Sequence, residues 1–318
     1  MTRRSAPLIA LALGTATLMA TLPARAVVPG PDGRIAFCRN IPEIDSCDLY
    51  TANPDGTDEQ LLLAGPAEAP HWSPDGSQLA VVTFAGDLVV TGIVNPDGSG
   101  LVQLNTGLTF NTPAQAWSPD GSRLAAEVWS DVDPTLTPGV FTMRSSDGGD
   151  LMRLTTNPYG GHDIPADYSP DGSRVLFLRE NPLLNHRAGS FALFQMNADG
   201  TGVTQLTPWG LAAGAGRWSP DGSRIVFATA SNRPKGALWV MSPNGAGLHK
   251  VFQDARGGAA FQPTWSPGGD KIMFALLRSP AQGGPEDLYS IEADGSSLAR
   301  VTNTPDFEES PDWGPNLG

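Results

Sequence analysis

Trp218-Ser219-Pro220-Asp221-Gly222-Ser223, followed at once by Arg224-Ile225-Val226-Phe227, is a unit that the chain repeats. Near-copies stand at Trp72-Ser-Pro-Asp-Gly-Ser77, Trp117-Ser-Pro-Asp-Gly-Ser122, Tyr168-Ser-Pro-Asp-Gly-Ser173 and Trp265-Ser-Pro-Gly-Gly-Asp270. Their aromatic leaders lie 45, 51, 50 and 47 residues apart, and a sixth leader, Trp313, follows 48 residues after Trp265. A leaderless copy, Pro31-Asp32-Gly33-Arg34-Ile35-Ala36-Phe37, stands near the start. Proline pre-sets φ near −65°, the Asp carboxylate bonds the local backbone, and Gly accepts the positive φ that closes the turn. The short apolar run that follows reads as a strand, and the leader is large enough to fill the gap between two sheets.

Outward from this turn, each repeat carries a second one: Asn53-Pro-Asp-Gly56, Asn95-Pro-Asp-Gly98, Ser146-Asp-Gly148, Ala198-Asp-Gly200, Pro243-Asn-Gly245 and Ala293-Asp-Gly295. Asp-Gly or Asn-Gly between apolar alternations marks a hairpin. A third strand precedes it, as in Leu238-Trp-Val-Met241, and a fourth follows, as in Arg300-Val-Thr302. Four strands per period of 45 to 51 residues is the signature of a propeller blade. The count predicts an all-β, six-bladed β-propeller of four-stranded blades over residues 27–318. It begins at the second strand of one blade and ends with that blade's first strand, a one-plus-three closure that removes the open sheet edge.

The Trp-Ser-Pro-Asp-Gly-Ser turn with its apolar strand resembles the PD40 (WD40-like) repeat of the TolB family, over essentially all of residues 30–318. The resemblance implies a propeller and export. TolB itself carries an additional N-terminal α/β domain, which this chain is expected to lack.

Residues 1–26 read as a secretory signal peptide: Arg3 and Arg4, an apolar run from Leu8 to Thr21, then Pro23-Ala24-Arg25-Ala26 as an A-x-A cleavage site. The run is too short to span a membrane and no second one follows, so membrane insertion is not expected. The formal net charge is −13, and removing this segment takes away three arginines and no acid. Such acidity repels nucleic-acid phosphate. Cys38 and Cys47, the two cysteines, fall on adjacent strands of one hairpin, near its loop end and opposite each other. In an oxidising compartment they are expected to form a disulfide.

Function in a propeller belongs to the loops at one end of its channel. Here those are the segments before the leaders: Pro66–His71, Asn111–Gln115, Gly161–Pro165, Leu211–Arg217, Ala260–Pro263 and Asp306–Pro311. The candidate binding residues are Glu68, His71, Gln115, His162, Asp163, Arg217, Gln262, Glu308 and Glu309. With Asp167 the acids would make this mouth negative, Arg217 being its lone counter-charge. An acidic ring could hold a divalent cation or a basic partner segment, but no cofactor or metal ligand set is specified. The Asp-Gly turns lack the alternating acids of a calcium loop. Oligogalacturonate lyases share a similar repeat and bind metal through several His residues, whereas His71, His162, His186 and His249 occupy unlike positions in their repeats. Prolyl-oligopeptidase-type enzymes join such a propeller to a hydrolase, but no Gly-x-Ser-x-Gly occurs here. The sequence thus points to a monomeric, non-catalytic, secreted or periplasmic module that binds another protein. The alternative is a ligand-binding or lyase-type propeller whose acidic mouth takes a carbohydrate, peptide or metal.

Overall fold

The computed structural model describes residues 32–41, 46–104, 109–184, 190–211, 213–229, 236–278 and 286–316. The expected signal segment, 1–26, lies outside the described residues. Strands are numbered β1 to β24 in chain order and form six antiparallel sheets of four strands each. Blades follow one another round a channel, and their innermost strands are β4 (Ala67–Trp72), β8 (Ala114–Trp117), β12 (Asp163–Tyr168), β16 (Ala213–Trp218), β20 (Ala259–Trp265) and β24 (Glu308–Pro315). Each innermost strand runs towards a Ser-Pro turn, or Gly-Pro in the last blade. That end of the ring is called the turn end below. The described residues of the loops between blades, and of those joining second to third strands, lie at the opposite, loop end.

One sheet has the order β24, β1 (Asp32–Ile41), β2 (Ser46–Ala52), β3 (Gln60–Leu63). Its innermost strand therefore comes from the end of the chain and the other three from its beginning. Ile35 faces Trp313 and Arg39 faces Glu308 across β1 and β24. The expected closure is present in this sheet order.

Blades are held by what lies between them. Among the described residues there are six clusters of buried apolar side chains, and each joins two neighbouring blades. Val226, Leu238 and Val240 of one blade, for example, pack on Trp265, Ile272, Phe274 and Tyr289 of the next. Every cluster contains one aromatic leader, because only a ring of that size spans the wedge left by two diverging twisted sheets. Both faces of a blade are buried, so the second and third strands read as continuous apolar runs rather than alternations. Leu79–Val82 and Ile225–Ala228 are such runs, buried throughout.

Cys38 and Cys47 form the expected disulfide, with Cα atoms 5.6 Å apart. They are not directly opposite as predicted: the register sets Cys38 against Leu49 and Asn40 against Cys47. The bridge is diagonal across the hairpin, and both residues are buried against the neighbouring blade.

Candidate functional site

At each Ser-Pro-Asp-Gly turn, the side chains close on themselves. In the first, Ser73 Oγ donates to Asp75 Oδ1 at 2.7 Å, and Ser77 donates to the same oxygen from its N–H and its hydroxyl. Gln78 N–H donates to Ser73 Oγ, and Gly76 sits at φ 68°. The same pattern recurs at Asp120, Asp171 and Asp221. These exposed carboxylates build turns, as the sequence reading held, each accepting hydrogen bonds from its own turn.

Just before each leader the innermost strand slips its register by a bulge, for example between Glu68 and His71 and between Pro165 and Asp167. Such a slip re-aims the residue that follows it. The residue preceding the leader then reaches the channel: His71, Ala116, Asp167, Arg217, Thr264 and Asp312 form one layer across it. Arg217 and His71 stand three blades apart, on opposite sides of the ring, yet Arg217 Nη2 lies 3.1 Å from His71 Nδ1. The guanidinium crosses the channel and also donates to the carbonyls of Gln115 and Ala166. Arginine can only donate, so in this contact His71 Nδ1 is the acceptor, and the same nitrogen lies 3.9 Å from Asp312 Oδ1. Burial, then the charge of Arg217, holds His71 below its ordinary pKa. Its Nε2 is buried without a hydrogen-bond partner.

The two aspartates of this layer are also opposite each other and play matching parts. Asp167 Oδ2 accepts the N–H of Trp218 at 2.8 Å, and Asp312 Oδ2 accepts that of Trp72 at 2.8 Å, so each ties its blade to the next. Burial pushes Asp167 up to about 6, although Arg217 and the Trp218 N–H pull it down. Burial raises Asp312 too, but the contact with His71, the charge of Arg217 and the Trp72 N–H outweigh it and leave this carboxyl low. Above the layer, towards the turn end, opens a cavity of about 240 Å³. Its walls are the six leaders, and its rim is the proline ring of Pro74, Pro119, Pro170, Pro220, Pro267 and Pro315.

The other sequence candidates lie towards the loop end and do not border this cavity. Asp163 is fully buried in a bidentate pair with Arg179, at 2.8 and 2.7 Å. Glu308 is also fully buried, accepting from Arg39 Nε at 2.9 Å and from the hydroxyls of Thr302 and Thr304. Neither presents its carboxylate at a mouth. Glu68 is half-buried; Glu309 accepts a long bond from Gln262 Nε2, and Gln262 and Ser310 are joined by two more. His162 Nδ1 meets Glu127 Oε1 at 2.6 Å between two blades. Hydrogen bonding to Glu127 raises the His162 pKa above its ordinary value. His249 is on an outermost strand, bonded to Gly247 O, and His186 lies outside the described residues. The described histidines thus occupy three separate places, and no metal-holding group occurs among the described residues.

Residues 31–317 match the family model described as the TolB beta propeller domain. The chain belongs to the TolB β-propeller family. Among curated relatives of this TolB-type propeller, the Tol-Pal system protein TolB of Bordetella pertussis is 28% identical over 155 residues, 48% of this chain and 32% of that protein. Dipeptidyl-peptidase 5 of Porphyromonas endodontalis is 31% identical over 101 residues, 32% of this chain and 14% of that protein. The chain therefore spans a third or less of the curated relatives it matches. Among solved structures, TolB from Acinetobacter baumannii superimposes with a TM-score of 0.72 at 20% identity, over 89% of this chain and 67% of that one. That likeness concerns the fold.

Within this TolB-type propeller, sequence reasoning named His71, Gln115, Asp167 and Arg217 but placed them among the loops. It missed Thr264, Asp312 and the proline rim. The signal that finds them is positional: each channel residue immediately precedes its leader, and each rim proline follows it by two.

Proposed function

We propose that this protein is an extracytoplasmic, non-catalytic interaction module that offers the loop end of a rigid propeller to another protein. The observation that carries the reading is a set of exposed apolar side chains at that end. Val132 is 80% exposed, Leu183 74% and Phe307 45%, with Tyr159 also on a loop there and Phe84 near the end of the strand Leu79–Ala85. Val132 and Leu183, the two most exposed large apolar side chains among the described residues, both lie at this end, and exposed apolar surface is what a protein partner would cover. The export reading is supported by the basic-apolar-small layout of residues 1–26 and by the Cys38–Cys47 disulfide, which suits an oxidising compartment. The curated TolB relatives, described as Tol-Pal system proteins, make a partner in the cell envelope the first to seek.

The test is in-situ cross-linking from the loop end in the native envelope, with mass spectrometry of what is captured. A reproducible protein partner, lost in Val132→Glu with Leu183→Glu while the melting temperature stays unchanged, is the expected result. Capture that survives this pair removes the loop end from the interaction. Asp163 is unsuitable for charge reversal, because it would strand the buried Arg179.

A further inference from the structure

The cavity at the turn end lies on the other side of the Arg217 layer from the loop-end surface, and its chemistry differs. We propose that it receives a basic side chain, lysine or arginine, from a partner polypeptide, with the charged head set against Asp167 and Asp312.

The charge balance of the floor comes first. It holds two carboxylates and one guanidinium, and burial together with the charge of Arg217 holds the imidazole between them below its ordinary pKa. The floor therefore lacks one positive charge. Arg217 does not offer itself to an incoming anion, since its Nη groups are engaged with Gln115 O, Ala166 O and His71. Asp167 and Asp312 are only partly buried and border the cavity, and Asp312 Oδ1 meets only a long bond from the Thr264 hydroxyl, at 3.5 Å, and His71 Nδ1 at 3.9 Å. A group arriving from the turn end thus meets carboxylates that are already positioned by the Trp218 and Trp72 N–H groups.

The walls select further. Aromatic and proline rings line the cavity and suit the apolar stem of a lysine or arginine. Around the rim, Asp75, Asp120, Asp171, Asp221 and Asp270 are exposed, one on each of five turns, which favours approach by positive charge. About 240 Å³ is less than the roughly 300–1,000 Å³ usual for small-molecule sites, and matches a single inserted side chain better than a free ligand.

The probes are capped pentapeptides, Ac-Gly-Gly-Lys-Gly-Gly-NH2 and its norleucine counterpart, and free butylamine, titrated into the mature protein while indole N–H resonances are followed. The lysine peptide is expected to bind saturably, to shift the signals of Trp72, Trp218 and Trp313, and to weaken with salt. The norleucine peptide should bind roughly tenfold more weakly or worse. Butylamine should also be weaker than the lysine peptide. The double variant Asp167→Asn with Asp312→Asn keeps an oxygen for each indole-bearing residue's backbone N–H and should lose the same factor. Equal binding of lysine and norleucine peptides on the wild type, a comparison that needs no substitution, overturns the proposal. So does undiminished binding to the double variant, absence of saturable binding, or butylamine binding as tightly as the peptide. Loop-end capture, measured in parallel on the Asn variants, reports on the proposed function separately: it should persist there, and its loss only in Val132→Glu with Leu183→Glu keeps the two ends distinct.

Discussion

Glu286 opens the strand Glu286–Glu292 with Oε1 buried and without a hydrogen-bond partner. Burial first, then the charges of Glu309, Glu308 and Asp287, push its carboxyl up to about 8 from an ordinary 4.5. Since the folded pKa lies above the unfolded one, the fold binds this proton more tightly than the unfolded chain does. Its contribution is complete below about pH 4.5 and declines as pH rises through 8. Glu286→Gln keeps the shape and removes the titration. Calorimetry at pH 5 and pH 9 should show little change at the lower value and a higher melting temperature at the upper, by about 2–4 °C per kcal/mol recovered. A gain of equal size at both values would mean that ionisation of Glu286 is not the cause. His162 runs the same way at lower cost: its pKa is raised through Glu127, so the pair supports the fold at acid pH and fades as pH climbs past the raised value. Glu127→Gln should move the imidazole titration, followed by NMR, to lower pH. Acidic residues that look alike in sequence are thus set apart by partners far along the chain. Asp163 finds Arg179 sixteen residues on, and Glu308 finds Arg39 across 269 residues.

Gly314 shows how an element departs from its own repeat. Every other leader is followed by Ser, and each of those serines caps its turn, but Trp313 is followed by Gly. A Cβ at this position would stand 2.7–2.9 Å from ring carbons of Trp72, the leader of the adjoining blade. Gly314→Ser therefore restores the repeat and damages the fold. The expected cost is about 1–3 kcal/mol from overpacking against a rigid indole, read by urea unfolding. A neutral result would show that the seam between first and last blades gives way more easily than the others. The diagonal disulfide braces the same blade, and replacing Cys38 and Cys47 together by Ser should cost about 2–3 kcal/mol, as expected for a short closed loop. The turns themselves were legible in the sequence, because Ser, Pro, Asp and Gly act on neighbours within five positions. The bulges that follow the loop segments were not, since a slipped register depends on which strand lies alongside.

For the whole molecule, closure is the decisive contact. β24 pairs with β1 and carries Trp313 into the cluster that includes Phe37, Met273 and Leu288. Deleting residues 305–318 opens a sheet edge, empties that wedge and removes Asp312 from the channel. The ring should then lose its single cooperative thermal transition, as followed by circular dichroism. A truncated protein that unfolds at the original temperature in one step would mean that five blades and a remnant suffice. A circle of blades passes stress to both neighbours, so damage at one seam is felt round the ring.

By itself, the sequence determined the number of blades, the strands in each, the leaders that fill the wedges and the closure by the last strand. All of these follow from short-range turn chemistry repeated at a constant period, which needs no knowledge of what lies across the ring. It also named three of the six residues of the channel floor, His71, Asp167 and Arg217, but not where they stand. Only the tertiary structure decided that Arg217 bridges to His71 from the opposite blade, that Asp167 and Asp312 face each other beneath an open cavity, and that Asp163 and Glu308 are enclosed by arginines. The physical reason is that charge and burial are properties of neighbours in space. A propeller makes neighbours of residues on opposite sides of its ring, which are separated in the chain by half its length.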